Sequence, residues 1–481
     1  MQFNSYDFIL LFLPLTIIIY FASCKINMTI GKIIIIISSI MFYAWGRKEM
    51  VMYLLGSLLV NYFFANIINK GKILYKASLA VPVLVNVVVL MYFKYLNFGI
   101  HNLNRIFESN IETRNIIVPI GISFFTFQQI AYLVAVRRHE IDVNIIDYAS
   151  YILFFPKLLM GPLMEPADFI NQLNDPTRKK IQLGNIAIGL KLLSVGLVKK
   201  AIFADTYSQA VSWGKNHLDG LTGADCFLIM IFYAFEIYFD FSGYSDMATG
   251  IAQMLNFELP INFDSPYKAL SIKDFWKRWH ISLTKFFTKY IYIPLGGSQK
   301  GKLFTYLNVM IVFFVSGMWH GARWTFILWG ILHGLLCVLD RFLEEKKIEM
   351  FAPLRWLITL MVINVLWLLF DAESIAQWSD MLFRITRIGD ISINRGLLDT
   401  FEIPEIRFLF DLLHINRFYY SVYGFCMMVF VMISAIICFV PQNIYKTKNR
   451  LSFINMFSTA ILFVWGVISL GGVSNFVYNG F

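Results

Sequence analysis

The sequence predicts an all-α integral membrane protein, and three features support this. Hydrophobic residues make up 58% of the 481 residues and charged residues only 15%, with a mean hydropathy of +0.63. A soluble domain carries roughly a quarter charged residues. Apolar runs long enough to cross a hydrocarbon layer of ~30 Å recur along the chain. Because lipid offers no water to unpaired backbone groups and the runs do not alternate, we expect helices and not a barrel.

The apolar runs predict about 11 to 13 transmembrane helices. The first run, 7–23, follows Asp7 instead of a basic region and precedes no small-residue cleavage site, so we expect a retained helix and not a signal peptide. The chain contains no Gly/Ser linker, low-complexity tract or internal repeat, which favours a single polytopic domain over 1–481.

The basic residues predict how the chain is oriented in the membrane. The main clusters are Lys25 and Lys32; Lys70, Lys72 and Lys76; Arg137 and Arg138; Arg178, Lys179 and Lys180; Arg341, Lys346 and Lys347; and Lys446, Lys448 and Arg450. Cytoplasmic loops are rich in Lys and Arg, so we expect these clusters inside and both termini outside. The stretch 372–418 is then the longest external loop. The net charge of +10 reports this topology, and we expect no nucleic-acid partner.

The stretch 257–302 interrupts the series of spans because it carries too many charges to cross a membrane. On a helical projection of 273–289, aromatic and leucine side chains share one face and basic side chains the opposite one. His280 lies at the edge of the apolar face. We therefore expect one amphipathic helix, interfacial or re-entrant, followed by a turn at Pro294, Gly296 and Gly297.

His320 is the strongest candidate among seven histidines, because it lies between two apolar runs. An ionisable side chain there is costly unless it faces a cavity or a partner. Gly317 and Gly321 allow backbone or substrate to approach closely. Trp324, one turn later, is expected on the same face. A catalytic histidine and a buried histidine bonded to a neighbouring carbonyl both explain these facts.

Other polar residues in apolar runs are weaker candidates. His333 would point to a nearly opposite face if one helix held both it and His320. Glu236 and Asp240 lie four residues apart, before an interruption at Phe241–Gly243 and the further acid Asp246. Acids beside such a break can accept hydrogen bonds from freed amides, which favours a structural role. Single cysteines and the lack of nucleophile or metal-ligand spacings predict no metal site and no covalent mechanism.

Short motifs spread almost end to end carry a resemblance to a known family. They are Phe93–Phe98, Pro119–Gln128, Gly161–Leu163, Tyr238–Asp246, Asn262–Tyr267, Asp274–Leu283 and Gly317–Ala322. Together they resemble the membrane-bound O-acyltransferase (MBOAT) family, in its bacterial polysaccharide O-acetyltransferase branch. The alginate O-acetylation membrane subunit is similar, and the teichoic-acid D-alanyl transfer protein more distantly so. Ala135, Phe370–Asp371 and the ending 475–481 depart from the pattern of this branch.

The resemblance implies a fold and a reaction. The fold would be a ring of helices around a central tunnel in the cell membrane. An acyl group held as a cytosolic thioester, with acetyl-CoA the expected donor, would reach an extracytoplasmic polysaccharide. No cofactor would be bound permanently. A separate extracytoplasmic protein of the SGNH-hydrolase type is the expected partner. The stretch 372–418 is the expected docking surface, because it is the longest external connection and mixes charges with the aromatic residues Trp378, Phe383, Phe401 and Phe408. The alternative is that these residues only fold back to cap the helical ring.

The family's hallmark histidine corresponds to His320 and its second polar active-site position to His280. Our hypothesis is that His320 acts as a general base while His280 positions the donor or assists proton transfer. Further candidates for substrate binding are Trp279, Lys277, Arg278, Trp319, Trp324 and Asp240. Three alternatives stay open: acyl transfer of another kind, such as D-alanylation of a cell-wall polymer or partner protein; a transporter or flippase; and a noncatalytic membrane scaffold.

Overall fold

The computed structural model describes the chain except for residues 46–47, 71–76, 349, 388–390, 403, 416–417, 442, 448–451 and 472–481. The basic residues Lys72, Lys76, Lys448 and Arg450 therefore lie outside the described residues. So does the ending 475–481, whose departure from the family pattern the structure does not address.

The described residues form helices and no strands, which confirms the all-α class. The helices are α1 (Leu13–Ile26), α2 (Met28–Ala44), α3 (Glu49–Asn69), α4 (Ala77–Phe107), α5 (Ile122–Arg137), α6 (Ile145–Leu153), α7 (Phe155–Leu158), α8 (Pro166–Asn174), α9 (Leu183–Val198), α10 (Asp205–Asn216), α11 (Gly223–Met254), α12 (Ile272–Arg278), α13 (Ile281–Phe287), α14 (Lys302–His320), α15 (Trp324–Glu345), α16 (Ala352–Asp371), α17 (Ile375–Thr386), α18 (Arg395–Asp399), α19 (Pro404–Leu412), α20 (Tyr419–Phe439), α21 (Ile444–Thr447) and α22 (Phe453–Ile468). Short π-helical segments adjoin some of these helices. Asp7–Phe12 leads directly into α1, and Lys199–Ala204 joins α9 to α10.

Eight helices in the described part of the chain are long and apolar enough to cross a membrane. They are Asp7–Ile26, Glu49–Asn69, Leu79–Phe107, Gly223–Met254, Lys302–His320, Trp324–Glu345, Ala352–Asp371 and Ser421–Phe439. Two shorter apolar helices, α2 and α22, accompany them. The protein is thus a multi-pass membrane protein. The expected total of 11 to 13 spans stays a prediction, because it depends on whether these and other short helices cross.

Helix α11 is the innermost of the long apolar helices. In its most apolar window 83% of the residues are buried, against at most 44% in the other seven candidate spans. It packs against α9, α10, α16 and α17. The interruption expected at Phe241–Gly243 does not occur, because α11 continues without a break. Asp240 and Asp246 are stabilised instead by Lys200 and Lys199 on the neighbouring segment, with N–O distances of 2.7 and 2.6 Å.

Close packing of α14 against α15 holds the end that carries His320. Gly317 on α14 faces Gly330 on α15, and a Cβ atom on Gly317 would collide with the carbonyl oxygen of Phe326. Small residues at such a crossing let two membrane helices approach closely. The backbone leading to His320 is therefore held against α15 and has little freedom to shift.

The amphipathic helix expected over 273–289 is two helices with a break at His280, so this prediction was wrong. Trp279 is extended and His280 has a φ of 44°, in the left-handed region. The preceding loop takes up the backbone groups on both sides: Asp264 N donates to Arg278 O at 3.0 Å, and Ile281 N donates to Asn262 O at 3.0 Å. These tertiary hydrogen bonds replace the helical ones that the projection assumed.

The stretch 372–418 folds back onto the helices through α17 and α18. Phe401 is 3% exposed and packs against Phe232, with ring centroids 5.1 Å apart. Trp378 Nε1 donates to Val365 O at 3.0 Å. Phe401 and Trp378 therefore pack against the protein itself and do not form a docking surface. The other two aromatic residues expected to contact a partner, Phe383 and Phe408, are exposed. Tertiary packing against α11 and α16 decided this, and the charge pattern did not reveal it.

Candidate active site

A large cavity opens beside His320. Its volume is about 1370 Å³, and we call it the His320 cavity. Its lining includes Met1, Ser5, Asp7, Tyr43, Lys94, Ser123, Ser208, Ser212, Lys215, Tyr233, Glu236, Trp319, His320, Arg323, Asp371 and Glu373. The N-terminal residues and the end of α16 thus border one cavity and lie on the same face of the protein. The positive-inside pattern predicts that this is the outer face.

His320 is the last residue of α14 and is 4% exposed. Aromatic rings surround its imidazole: the centroids of Trp319, Trp329 and Phe370 lie 4.8, 5.1 and 5.0 Å from it. Trp324 does not cover this face, contrary to expectation. The helix ends at His320, a new helix begins at Trp324, and Trp324 is 55% exposed with Nε1 donating to Asn102 Oδ1. A loop of three residues has replaced the helical turn that the prediction assumed.

Lys94 is a half-buried lysine that lines the same cavity. Its Nζ donates to Trp319 O at 2.9 Å and lies 3.3 Å from Ser123 Oγ. The first bond holds the peptide unit that precedes His320. Lys94 therefore helps to fix the end of α14 while remaining at the cavity wall.

His280 contacts Trp319 and does not belong to the lining of the His320 cavity. Its ring centroid is 6.3 Å from that of Trp319 and 4.6 Å from that of Phe241. Neither ring nitrogen has a hydrogen-bond partner among the described residues. Burial lowers the pKa of His280 to about 3, because the surroundings penalise the charged form, and the imidazole is neutral at physiological pH. Trp319 thus contacts both candidate histidines.

The other candidates are scattered around these two histidines. Trp319 lines the cavity, whereas Trp279 is 1% exposed inside an aromatic cluster with Phe275 and Trp367. Arg278 pairs with Asp274 at 2.9 Å. Lys277 is exposed on the opposite side of α12 from the core.

Two polar residues of the apolar runs have internal partners and do not line the cavity. Asp240 is paired with Lys200. His333 accepts a hydrogen bond from Trp276 Nε1 at 3.2 Å through its Nδ1. Both contacts are of the kind that stabilises a buried polar group, which agrees with the structural role favoured for the carboxylate.

Several residues of the His320 cavity were not predicted from the sequence to belong to the site. Lys94 carried a usable signal, since a lysine within an apolar run is rare unless it faces a cavity. Glu236 carries the same signal, although the sequence predicted a structural role for it and for Asp240. Lys215 and Asp371, whose Nζ and Oδ1 lie 2.5 Å apart, gave no such signal because each is at the polar end of a helix.

Comparison with known proteins identifies the family. The model of the membrane-bound O-acyltransferase family matches residues 40–370. The chain is 37% identical over 426 residues to the peptidoglycan O-acetyltransferase of Helicobacter pylori, covering 81% of each chain. It is 34% identical to the probable alginate O-acetylase of Pseudomonas putida, covering 84% of this chain and 85% of that one. A teichoic acid D-alanyltransferase of Streptococcus thermophilus is 27% identical over 49% of this chain and 60% of its own length. This chain belongs to the membrane-bound O-acyltransferase family and is a membrane acyltransferase.

Proposed function

We propose that the protein moves an acetyl group from a cytosolic thioester, acetyl-CoA, to a hydroxyl group of an extracytoplasmic polysaccharide, with His320 as the general base. The observation that carries this proposal is the position of His320, a buried imidazole at the wall of a cavity of about 1370 Å³. The names of the relatives support acetyl as the group and a cell-surface polymer as the acceptor.

The chemistry requires one base and a route for one proton. The imidazole of His320 removes the proton from the acceptor hydroxyl, whose oxygen attacks the thioester carbonyl carbon. The carbon–sulfur bond then breaks, and the thiolate leaves with the proton returned by the imidazolium. The products are an ester and free coenzyme A, so atoms and charge balance. A positioned base of this kind contributes ~10² to 10⁴ in rate.

His280 is proposed to meet the donor from the cytosolic side. Its two ring nitrogens lack partners among the described residues, and it contacts Trp319, which lines the His320 cavity. The exposed Lys277 on the adjoining helix is available to phosphate groups, either of coenzyme A or of anionic lipid. We therefore place donor entry at the α12–α13 face.

The proposed orientation puts the mouth of the His320 cavity, both termini and 372–418 outside the cell membrane. An extracytoplasmic partner of the SGNH-hydrolase type would dock near that mouth. Phe383 and Phe408, which are 56% and 66% exposed, are the aromatic residues available to it.

The test is acetyl transfer by the purified protein. With the wild type, we expect the label of radiolabelled acetyl-CoA to appear as an ester on a soluble oligosaccharide. We expect the His320→Ala variant to lose this activity. Thermal unfolding of the variant serves as the control for folding. Removal of one interior polar side chain leaves every apolar span intact, so insertion should be unchanged.

The outcomes separate the competing functions. Full activity of His320→Ala would remove the general base from the proposal. Label transferred from a D-alanyl thioester and not from acetyl-CoA would replace the acyl group. If the wild type transfers neither group but moves a lipid-linked sugar across a vesicle membrane, it is a flippase. A chain that does none of these, yet restores transfer by an added extracytoplasmic enzyme, is a scaffold.

A further inference from the structure

Helix α11 carries four acidic side chains, and three of them have partners that account for their burial. Asp225 caps the start of the helix and accepts from Thr222 N and Asn394 N, each at 3.0 Å. Asp240 and Asp246 are paired with lysines at 2.7 and 2.6 Å. Glu236 is the fourth. It is 5% exposed, and its Oε2 is buried without a hydrogen-bond partner among the described residues.

Glu236 also differs from Asp240, one turn further on, in what it faces. Asp240 points to Lys200, whereas Glu236 lines the His320 cavity. A buried acceptor that lacks a donor destabilises the folded protein, so its presence calls for an explanation. An acceptor on a side chain that lines a substrate cavity is satisfied when a ligand brings the donor.

Hydroxyl groups extend from Glu236 along the cavity wall. Ser208 lies within hydrogen-bonding reach of the Glu236 carboxyl. Ser212 is four residues later on α10 and so on the same face, and both serines line the cavity. Ser208 is half-buried and Ser212 exposed, so this row of polar groups runs from the interior toward solvent.

This row suits a ligand with several hydroxyl groups. A single serine hydroxyl of a partner protein would use one of these groups, whereas a sugar presents several donors and acceptors at short spacing. The cavity also exceeds the ~300–1,000 Å³ that drug-sized ligands need, which leaves room for more than one sugar ring. Lys215 and Asp371 pair with each other nearby, so the wall does not present a single sign of charge.

We propose that Glu236 is a specificity-determining residue for the acceptor: its carboxyl oxygen accepts a hydrogen bond from a sugar hydroxyl in the His320 cavity, and Ser208 and Ser212 extend the contact toward the mouth. This deepens the proposed function, since it assigns the acceptor side of the same cavity. Glu236 holds the acceptor and takes no proton in the reaction.

Direct binding tests this without any acyl donor. The probe is chitotetraose, a neutral oligosaccharide of N-acetylglucosamine, titrated calorimetrically into the purified full-length protein. We expect the wild type to bind and Glu236→Ala to raise the Kd about 10-fold, the size expected for one lost hydrogen bond. Glu236→Gln keeps a carbonyl oxygen as acceptor and should raise the Kd less. Glu112→Ala removes an exposed carboxylate outside the cavity and should leave the Kd unchanged.

Thermal unfolding distinguishes binding from a structural role. Removing a buried carboxyl oxygen without a partner should not lower the unfolding midpoint of Glu236→Ala, whereas loss of a structural contact would. Absence of chitotetraose binding by the wild type, an unchanged Kd in Glu236→Ala, or Glu236-dependent binding of a serine peptide in place of the sugar would each overturn the proposal. Sugar binding that depends on Glu236 but without acetyl transfer would refute the proposed reaction and leave this assignment standing.

Discussion

The two candidate histidines both contact Trp319 but occupy contrasting environments. His320 ends a long apolar helix and lines a cavity whose wall also carries Lys94, Glu236 and Arg323. His280 sits at a break between two short helices, against Phe241 and Trp319, and does not line that cavity. One imidazole borders polar space that an acceptor can enter, and the other lies in a closed aromatic cluster.

This difference suggests that the two histidines have different roles in the reaction. A general base must come within hydrogen-bonding distance of the hydroxyl it deprotonates, and only His320 borders a space in which such a hydroxyl could lie. The backbone of His280 is held in a strained conformation, since a φ of 44° is uncommon for a residue with a side chain. Strain of this kind is often kept at functional sites, where it aims a side chain in one direction. The predictions below test the contrast, beginning with the largest effect.

Replacing His320 with glutamine should have the largest effect on catalysis. Glutamine keeps polarity and similar bulk but cannot take the proton, so the rate of acetyl transfer should fall by ~10² to 10⁴. Steady-state transfer to a soluble oligosaccharide measures this. The unfolding midpoint should stay close to that of the wild type. A loss smaller than tenfold would show that the base lies elsewhere.

Replacing His280 should have a smaller effect that depends on the replacement. Asparagine tolerates the left-handed region, so His280→Asn should fold normally and lose about tenfold in transfer rate, the value of one hydrogen bond of ~1.4 kcal/mol. His280→Ala should in addition lower the free energy of unfolding by about 1 to 2 kcal/mol, because alanine is strained in the left-handed backbone region. Thermal unfolding and transfer rates measured in parallel separate the two effects. Equal activity of wild type and His280→Asn would assign His280 to packing alone.

A comparison within 372–418 tests whether that stretch is packing or docking surface. Phe401 is 3% exposed and Phe408 66% exposed. We expect Phe401→Ser to destabilise the protein by about 3 kcal/mol or more, as for other large-to-small core changes, and Phe408→Ser by less than about 0.5 kcal/mol. Chemical denaturation measures both.

Polymer acylation in cells provides the matching functional readout. If a partner docks on the exposed residues, Phe408→Ser should lower acylation of the polymer while the purified protein keeps its donor hydrolysis. Unchanged acylation in cells would leave no docking role for Phe408.

Labelling of the two faces should change activity least. In a cysteine-free background, a single cysteine near Lys346 should resist an impermeant thiol reagent applied outside, whereas one near Glu402 should react. Both positions are far in sequence from the cavity lining, so transfer activity should be unchanged. The reverse labelling pattern would invert the orientation, and with it the side from which the donor enters.

Composition and hydropathy were sufficient for the membrane class, because the cost of placing backbone and charge in lipid acts on every residue of a span. They also singled out His320, since an ionisable side chain between two apolar runs needs a reason to be there. The short motifs were sufficient for the family. None of these conclusions required knowing which residues touch.

Contacts between distant segments decided the rest. The loop 262–264 donates a hydrogen bond to Arg278 O and accepts one from Ile281 N, and so breaks the helix that periodicity predicted. Phe401 is buried because α11 supplies Phe232 as a neighbour, and Asp240 differs from Glu236 because it forms an ion pair with Lys200. Local sequence determines which backbone conformations are energetically accessible. The choice among them depends on hydrogen-bond and packing partners that lie tens to hundreds of residues away.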